Sequence, residues 1–200
     1  MLSFNECTLA KLDREFGLRQ ARQSRVLDDW LAGDASISDF ERQALLTFRD
    51  KLDRNVYDWN ETELAYNFIG PILAIVDYIT ERFNFFAERP LNGTVNGVLM
   101  GGKPDGMIAT GFREPEMPYF CFKEYKREKD PSGDPAAQVL AAMLVAQALN
   151  DGRHLLYGSY IKGYNWHFMI LQGTEYVISP VYVATRDDIF DIFRVLRVFK

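Results

Sequence analysis

An alanine-rich helix with strands on both sides of it is the sequence feature that most constrains the fold. Asp134 is a natural N-cap followed by Pro135, and the apolar run 136–149 continues until Asn150-Asp151-Gly152 ends it. Small residues recur along this helix, so it can approach a sheet closely. Short β-rich runs precede and follow it, which predicts an α/β or α+β fold with a central mixed sheet flanked by helices.

The remaining pattern predicts the order of the elements. Strands are predicted at 83–86, 94–100, 106–110 and 118–126 before the alanine-rich helix, and at 155–161, 166–171 and 176–178 after it. A long helix should begin at Asn60 and carry an apolar stripe as far as Ile79, with a kink at Pro71, which lacks an N–H. A last helix is predicted to start at Thr185. Residues 1–57 are predicted to form a polar, helical extension, and residues 58–200 a single globular domain.

Composition narrows the classes of function. A chain of 200 residues can bury a full core without disulfides, so Cys7 and Cys121 are expected to be core thiols. Lys and Arg number 23 against 28 Asp and Glu, and the net charge of −5 means that any contact with nucleic acid must be local. The longest apolar run is far shorter than the ~20 residues that span a bilayer. No secretory signal is visible, so we expect a cytoplasmic protein without membrane contact.

The run 119–126 carries the most chemical information. Side chains alternate along a strand, so one face should carry Phe120, Phe122, Glu124 and Lys126, and the other Tyr119, Cys121, Lys123 and Tyr125. If this strand pairs with the one that follows Asp105, Asp105 comes beside Glu124 and Lys126. The alternative is that Lys103-Pro104-Asp105-Gly106 is only a β-turn, and that Glu124 and Lys126 form an ion pair on a solvated edge.

The combination of Pro104-Asp105 with Glu124-Tyr125-Lys126 resembles the motif of the PD-(D/E)XK nuclease superfamily. The order of elements from about 60 to 171 is also similar to its restriction-endonuclease-like core of a helix, a three-strand meander, a helix and a strand. The resemblance implies a metal-dependent nuclease in which Asp105, Glu124 and Lys126 are catalytic. It also implies that Asp105, Glu124 and the backbone carbonyl of Tyr125 bind Mg²⁺ or Mn²⁺, while Lys126 orients water or stabilises developing charge.

Two further residues are predicted to support this site. Asn60-Glu61-Thr62-Glu63 resembles the opening helix of restriction-enzyme relatives, and Glu61, which lies within the apolar stripe, is predicted to be a third metal-binding acid. Glu63 should instead form a capping box with Asn60, and Glu61 could also merely complement the helix dipole. Gln138 matches a polar position of the family, although the Gln-x-x-x-Tyr pattern of its exonuclease-like branch is absent, and it could equally pair with backbone.

Nucleic acid is the expected partner, DNA in preference to RNA, and the sequence is compatible with a homodimer. The cations predicted to contact phosphate are Lys123, Arg127, Lys129, Arg19, Arg22 and Arg25. The alternative function is a catalytically inactive module that keeps the nuclease fold and binds nucleic acid or protein. The acidic net charge favours this alternative, whereas the intact set Asp105, Glu124 and Lys126 favours the enzyme.

Overall fold

Two sheets organise the chain in a computed structural model that describes residues 1–129 and 133–198. The strands are β1 Leu2–Ser3, β2 Arg19–Gln20, β3 Asn84–Ala87, β4 Leu91–Val95, β5 Val98–Gly102, β6 Gly106–Thr110, β7 Glu116–Lys126, β8 Leu156–Lys162, β9 Asn165–Gln172, β10 Glu175–Ile178 and β11 Tyr182–Val183. The helices are α1 Leu9–Phe16, α2 Arg25–Leu31, α3 Asp39–Asn55, α4 Glu61–Leu64, α5 Gly70–Val76, α6 Pro135–Leu149 and α7 Asp188–Arg197. The structure is therefore of the mixed α/β class, as the sequence predicts.

The main sheet is mixed because a helix crosses over between two of its strands. Its order is β2-β10-β9-β8-β7-β6-β3, with β11 paired to β9. Strands β3, β6 and β7 pair antiparallel, α6 follows, and β8 then lies parallel to β7. The hairpin β4–β5 is inserted between β3 and β6 and forms a second, three-stranded sheet with β1.

Helices cover the main sheet on both faces. On one face, a core cluster joins the sheet to α2, α3, α4, α5 and α7. On the other, a second cluster joins it to α1, α6 and the small sheet. The two predicted core thiols, Cys7 and Cys121, are buried and unpaired, one in each cluster.

The alanine-rich helix has the predicted ends and the predicted close approach. The side chain of Asp134 accepts a hydrogen bond of 3.0 Å from the N–H of Ala137, and it also accepts one of 3.1 Å from the N–H of Leu9 in α1. A Cβ placed on Gly158 in β8 would lie 2.6 Å from Val139 of α6. Glycine at position 158 is therefore what allows this helix to pack so close to the sheet.

Several local predictions are wrong for identifiable reasons. The predicted strand 94–100 is a hairpin, because Asn96 and Gly97 both adopt positive φ, as a two-residue turn between paired strands requires. The predicted helix from Asn60 is α4, a π-helical turn over Ala65–Ile69 and α5. This irregular turn lies just before Pro71, consistent with the predicted disturbance. The helix ends at Val76 rather than Ile79, which is 69% exposed.

The N-terminal region contains strands that its helical pattern does not reveal. Strand β1 pairs parallel with β5, and β2 pairs parallel with β10, so residues 1–57 contribute to both sheets. In β7, a register shift opposite Ile108 and Ala109 changes the predicted alternation. Tyr119 consequently packs with the α6 cluster, and Phe120 contacts Phe83 on the opposite face.

Candidate active site at the ends of β6 and β7

Asp105 is held against β7 by a backbone hydrogen bond. Strand β6 begins at Gly106, which pairs with Lys123, and the side chain of Asp105 then accepts a hydrogen bond of 2.6 Å from the N–H of Tyr125. The N–H and C=O of one strand residue point to the same side, so the Tyr125 carbonyl also faces the Asp105 side. Asp105 is half-buried, unlike a residue on an exposed turn.

Glu124 and Lys126 form a close pair on the next strand. The Nζ of Lys126 lies 2.9 Å from Oε1 of Glu124 and 3.5 Å from Oε2 of Glu61. Glu124 is only 6% exposed, and the Lys126 side chain is mostly buried as well. The alternative of an ion pair on a solvated edge therefore does not describe this pair, which is shielded from water.

The two carboxyl groups of Asp105 and Glu124 destabilise each other's charge. Burial is the main cause that raises the pKa of Asp105 to about 6, although the hydrogen bond from Tyr125 and the charge of Lys126 oppose it. Burial and then repulsion from Asp105 raise the pKa of Glu124 to about 7, against the hydrogen bond from Lys126. Shifts of this kind in a cleft are typical of functional sites, because a bound cation can offset the repulsion.

Lys126 keeps its charge in this environment. Burial acts to lower the pKa of its ammonium, but the hydrogen bond to Glu124 and the charges of Glu124, Glu61 and Asp105 outweigh burial and raise that pKa above its usual value. The site thus combines a permanent cation with two carboxylates that are costly to ionise together.

Glu61 and Glu63 lie in different surroundings: the capping box predicted for Glu63 is confirmed, whereas the metal-binding role predicted for Glu61 stays a prediction. The carboxylate of Glu63 accepts a 2.8 Å hydrogen bond from the N–H of Asn60, and the Asn60 side chain accepts one of 2.9 Å from the N–H of Glu63. Glu63 is thus committed to the capping box. Glu61, two residues earlier, turns toward Lys126 and lines the same groove as Asp105.

Gln138 also lies at the site. A Cβ placed on Gly133 would be 3.0 Å from Nε2 of Gln138 and 3.9 Å from Cε of Lys126, so the amide and the lysine stem converge on the same glycine. Gln138 is buried, and its Oε1 has no hydrogen-bond partner within residues 1–129 and 133–198. The predicted alternative, in which this amide pairs with backbone, is not found for its oxygen among these residues.

Glu88 lies at the site, although the sequence analysis did not predict it there. Its N–H donates a 3.3 Å hydrogen bond to the carbonyl of Asp105, its charge adds to the rise in the pKa of Asp105, and it lines the groove of about 290 Å³ beside that residue. The signal is the pairing of Ala87 with Gly106, which carries Glu88 opposite Asp105. The inserted hairpin hides this pairing, because β3 and β6 are not consecutive.

The predicted phosphate-binding cations fall into three groups. The prediction that Lys123 contacts phosphate is wrong. Lys123 is 1% exposed, and its Nζ lies 3.4 Å from Oγ of Ser159, so it cannot reach a phosphate backbone. Arg19, Arg22 and Arg25 are exposed, but Arg19 lies in β2 and the other two follow it. Strand β2 is at the far edge of the sheet, four strands and about 19 Å from β7. Arg127 and Lys129 are exposed and directly follow the site strand.

The available oxygen donors suit a hard divalent cation. In the described part of the chain, no three side chains of His, Cys, Asp or Glu come together as a preformed metal cluster. Glu61 contacts Lys126 instead of completing a trio with Asp105 and Glu124. A cation at this site would therefore be held by these two carboxylates, the Tyr125 carbonyl and water, a donor set that Mg²⁺ and Mn²⁺ accept.

Comparisons with known proteins add no assignment to this geometry. No protein-family model matches the chain, and a search of curated proteins gave no significant match. Within the described ranges, no helix is both long and apolar enough to cross a membrane.

Proposed function

We propose that this chain is a metal-dependent nuclease of the PD-(D/E)XK type, which hydrolyses phosphodiester bonds of nucleic acid. One observation carries the proposal: Asp105, Glu124 and Lys126 converge at the adjoining ends of two paired strands. These are three residue types that metal-assisted phosphoryl chemistry requires; Glu124 is buried, the Lys126 side chain is mostly buried and Asp105 is half-buried.

The connection of the elements supports a restriction-endonuclease-like core. The irregular helix from Glu61 to Val76 precedes the antiparallel meander β3, β6 and β7, and α6 then crosses over to β8, parallel to β7. The sequence resemblance predicts this order, with Asp105 and Glu124 on neighbouring strands of the meander. The hairpin β4–β5 is an insertion into that core.

The residues of the chain divide the chemical work between them. Asp105 and Glu124 would hold the cation, which when bound supplies a Lewis acid for the phosphoryl oxygen and favours the ionised form of water. Lys126 is positioned to donate a hydrogen bond from Nζ to the attacking water or to a phosphate oxygen. Its carboxylate neighbours, Glu124 and Glu61, fix that ammonium in place and keep it protonated.

The deciding experiment compares metal binding with cleavage. Mn²⁺ or Mg²⁺ at millimolar concentration should raise the melting temperature of the parent protein by linkage, and Asp105→Asn should abolish the rise. Lys126→Met should retain the metal-dependent rise but lose cleavage of plasmid DNA, single-stranded DNA and RNA by roughly 10²-fold or more.

Glu63→Gln is a matched control, because glutamine at this position preserves the capping box. It should behave as the parent in both assays. Equal responses of parent, Asp105→Asn and Lys126→Met, with no cleavage by any of them, would overturn the proposal in favour of the catalytically inactive module.

A further inference from the structure

Tyr57 and Lys129, both exposed, and Tyr164, which is half-buried, form a group beside the candidate site, here called the tyrosine patch. Tyr57, just after α3, is 54% exposed, and its ring meets the ring of Tyr164 edge to face with centroids 6.3 Å apart. The Nζ of Lys129 lies 5.9 Å from the centroid of the Tyr57 ring. More than half of Tyr57 therefore stays accessible although two neighbours fix its position.

The backbone connects the tyrosine patch to the candidate site. The N–H of Gly163 donates a 2.9 Å hydrogen bond to the carbonyl of Lys126, and Tyr164 is the next residue. Tyr57 precedes by only four residues Glu61, whose carboxylate reaches Lys126 Nζ. Both aromatic rings are thus tied to segments that contact the predicted catalytic lysine, so the patch lies beside the end of β7.

Several exposed cations lie near the tyrosine patch, in addition to Lys129. Arg127 and Lys162 are exposed at the ends of β7 and β8, where Lys162 pairs with Lys126 in the parallel ladder. Arg186 lines a shallow pocket of about 200 Å³ together with Tyr57, Tyr164 and the acid Asp53. The carboxylate of Glu128 lies against Gly163, and its charge also acts on Tyr164, so acids as well as cations lie beside the rings. An accessible aromatic ring with cations nearby is the combination by which proteins hold a single strand of nucleic acid, and Tyr57 with Lys129 supplies it here.

We propose that the tyrosine patch binds a single-stranded segment of nucleic acid beside the site, with a base stacked on Tyr57 and backbone phosphates contacted by Lys129, Arg127 and Lys162. This deepens the proposed function and rests on it, because it names the form of substrate. A base can stack on a protein ring only when it is free of its own neighbours, so the patch selects single strands over duplex.

Binding of a labelled strand in EDTA tests the patch without cleavage. We would measure the fluorescence anisotropy of fluorescein-labelled oligo(dT), and of a duplex of equal length, against the whole chain. Tyr57→Ala should weaken binding of the single strand by roughly 5- to 100-fold, the range for loss of one base–aromatic stack, while Tyr57→Phe should keep it. Lys129→Ala should lower the slope of log affinity against log salt by about 0.7.

Two variants serve as matched controls. Phe40→Ala removes an exposed ring at the other end of the α3 segment, about 25 Å from Tyr57 along the helix axis. Arg153→Ala removes an exposed cation before β8, at the opposite end of the strand from Lys162. Both should bind oligo(dT) as the parent does.

The possible failures are distinguishable. Equal affinities of Tyr57→Ala and Phe40→Ala, tighter binding of duplex than of single strand, or no binding by the parent would each overturn the patch. Tyr57-dependent binding without any cleavage in Mn²⁺ or Mg²⁺ would support the patch but contradict the proposed nuclease. Cleavage of single strands that is insensitive to Tyr57→Ala would support the nuclease and contradict the patch.

Discussion

The side chain of Asp105 accepts a 2.6 Å hydrogen bond from the backbone N–H of Tyr125. Strand β6 starts only at Gly106, so the carboxylate takes the place that a further β6 residue would have in the ladder with β7. The same hydrogen bond fixes Asp105 close to Glu124, the residue that precedes Tyr125. A structural hydrogen bond and the placement of a predicted metal ligand therefore depend on one side chain.

Removal of the Asp105 carboxylate as a hydrogen-bond acceptor should lower the free energy of unfolding. Asp105→Ala leaves the N–H of Tyr125 without the acceptor that it has in the folded chain, and an unsatisfied buried donor costs about 1–3 kcal/mol. Asp105→Asn keeps an oxygen acceptor and removes the repulsion with Glu124, so it should be the more stable of the two. Urea denaturation in EDTA measures both, and equal midpoints would show that the hydrogen bond contributes nothing.

The raised pKa values of Asp105 and Glu124 predict how stability depends on pH. Folding raises the pKa of Asp105 from 3.8 to about 6 and that of Glu124 from 4.5 to about 7, so the folded chain binds these protons more tightly than the unfolded chain. Their contribution is complete below pH 4 and is lost as the pH rises toward 7. As far as these two groups determine it, the free energy of unfolding should therefore be lower at pH 7.5 than at pH 4.

Urea midpoints between pH 4 and pH 7.5 measure this loss. Glu124→Gln should flatten the profile, because it removes one titrating group and the repulsion that acts on the other. A parent profile that falls no more steeply with pH than that of Glu124→Gln would contradict the predicted sign. If the site binds cations, Mn²⁺ should stabilise the parent more at pH 7.5 than at pH 5.

The sequence predicts the elements at the centre of the fold, which depend on local signals, but not the pairings between strands that are distant in the chain. The limits of α6 follow from Asp134, Pro135 and the Asn150-Asp151-Gly152 ending, which are local signals, and the structure has them. The convergence of Asp105 with Glu124 needed only the pairing of two consecutive strands, β6 and β7. Glu88 required the pairing of β3 with β6 across an inserted hairpin, and no local pattern specifies such a long-range pairing.

The sequence pattern also did not predict which charged side chains are buried. Lys123 and Lys129 both belong to one cluster of positive charge in the sequence, yet Lys123 is buried under Tyr78 and Lys129 is exposed against Tyr57. The alternation of β7 indicated that Lys123 lies on the face away from Glu124. What the sequence did not show is that α5 and its continuation cover that face. Tertiary packing, rather than local charge, decides which lysine can meet a phosphate.

Glu61→Gln should affect catalysis where Glu63→Gln does not. The Glu61 carboxylate lies 3.5 Å from Lys126 Nζ and supports its positive charge, so the amide should weaken the positioning of the lysine. On the proposed function, cleavage should fall by roughly tenfold, with the metal-dependent rise in melting temperature retained, because Glu61 is not among the residues that would hold the cation. Metal titration followed by cleavage kinetics separates these effects. Loss of the metal response in Glu61→Gln would assign Glu61 to the cation after all.

Lys123→Met should stabilise the protein. Lys123 is 1% exposed, and burial lowers the pKa of its ammonium. Within the described residues, Nζ lies 3.4 Å from Oγ of Ser159 and 5.4 Å from the centroid of the Tyr78 ring. A weakly partnered charge in an apolar core is costly, and methionine fills a similar volume, so the free energy of unfolding should rise by about 1–3 kcal/mol.

Ser159→Ala should have the opposite effect and lower the free energy of unfolding of the parent. It removes the hydroxyl oxygen next to Lys123 while the lysine stays in place. In the Lys123→Met background the same serine change should cost much less, and a double-mutant cycle from urea denaturation measures the difference. Oligo(dT) affinity should be unchanged in Lys123→Met and reduced in Lys129→Ala. A weaker affinity in Lys123→Met would mean that Lys123 does contact the strand. A loss of stability equal to that of Ser159→Ala would mean that the buried ammonium is stabilised by its surroundings.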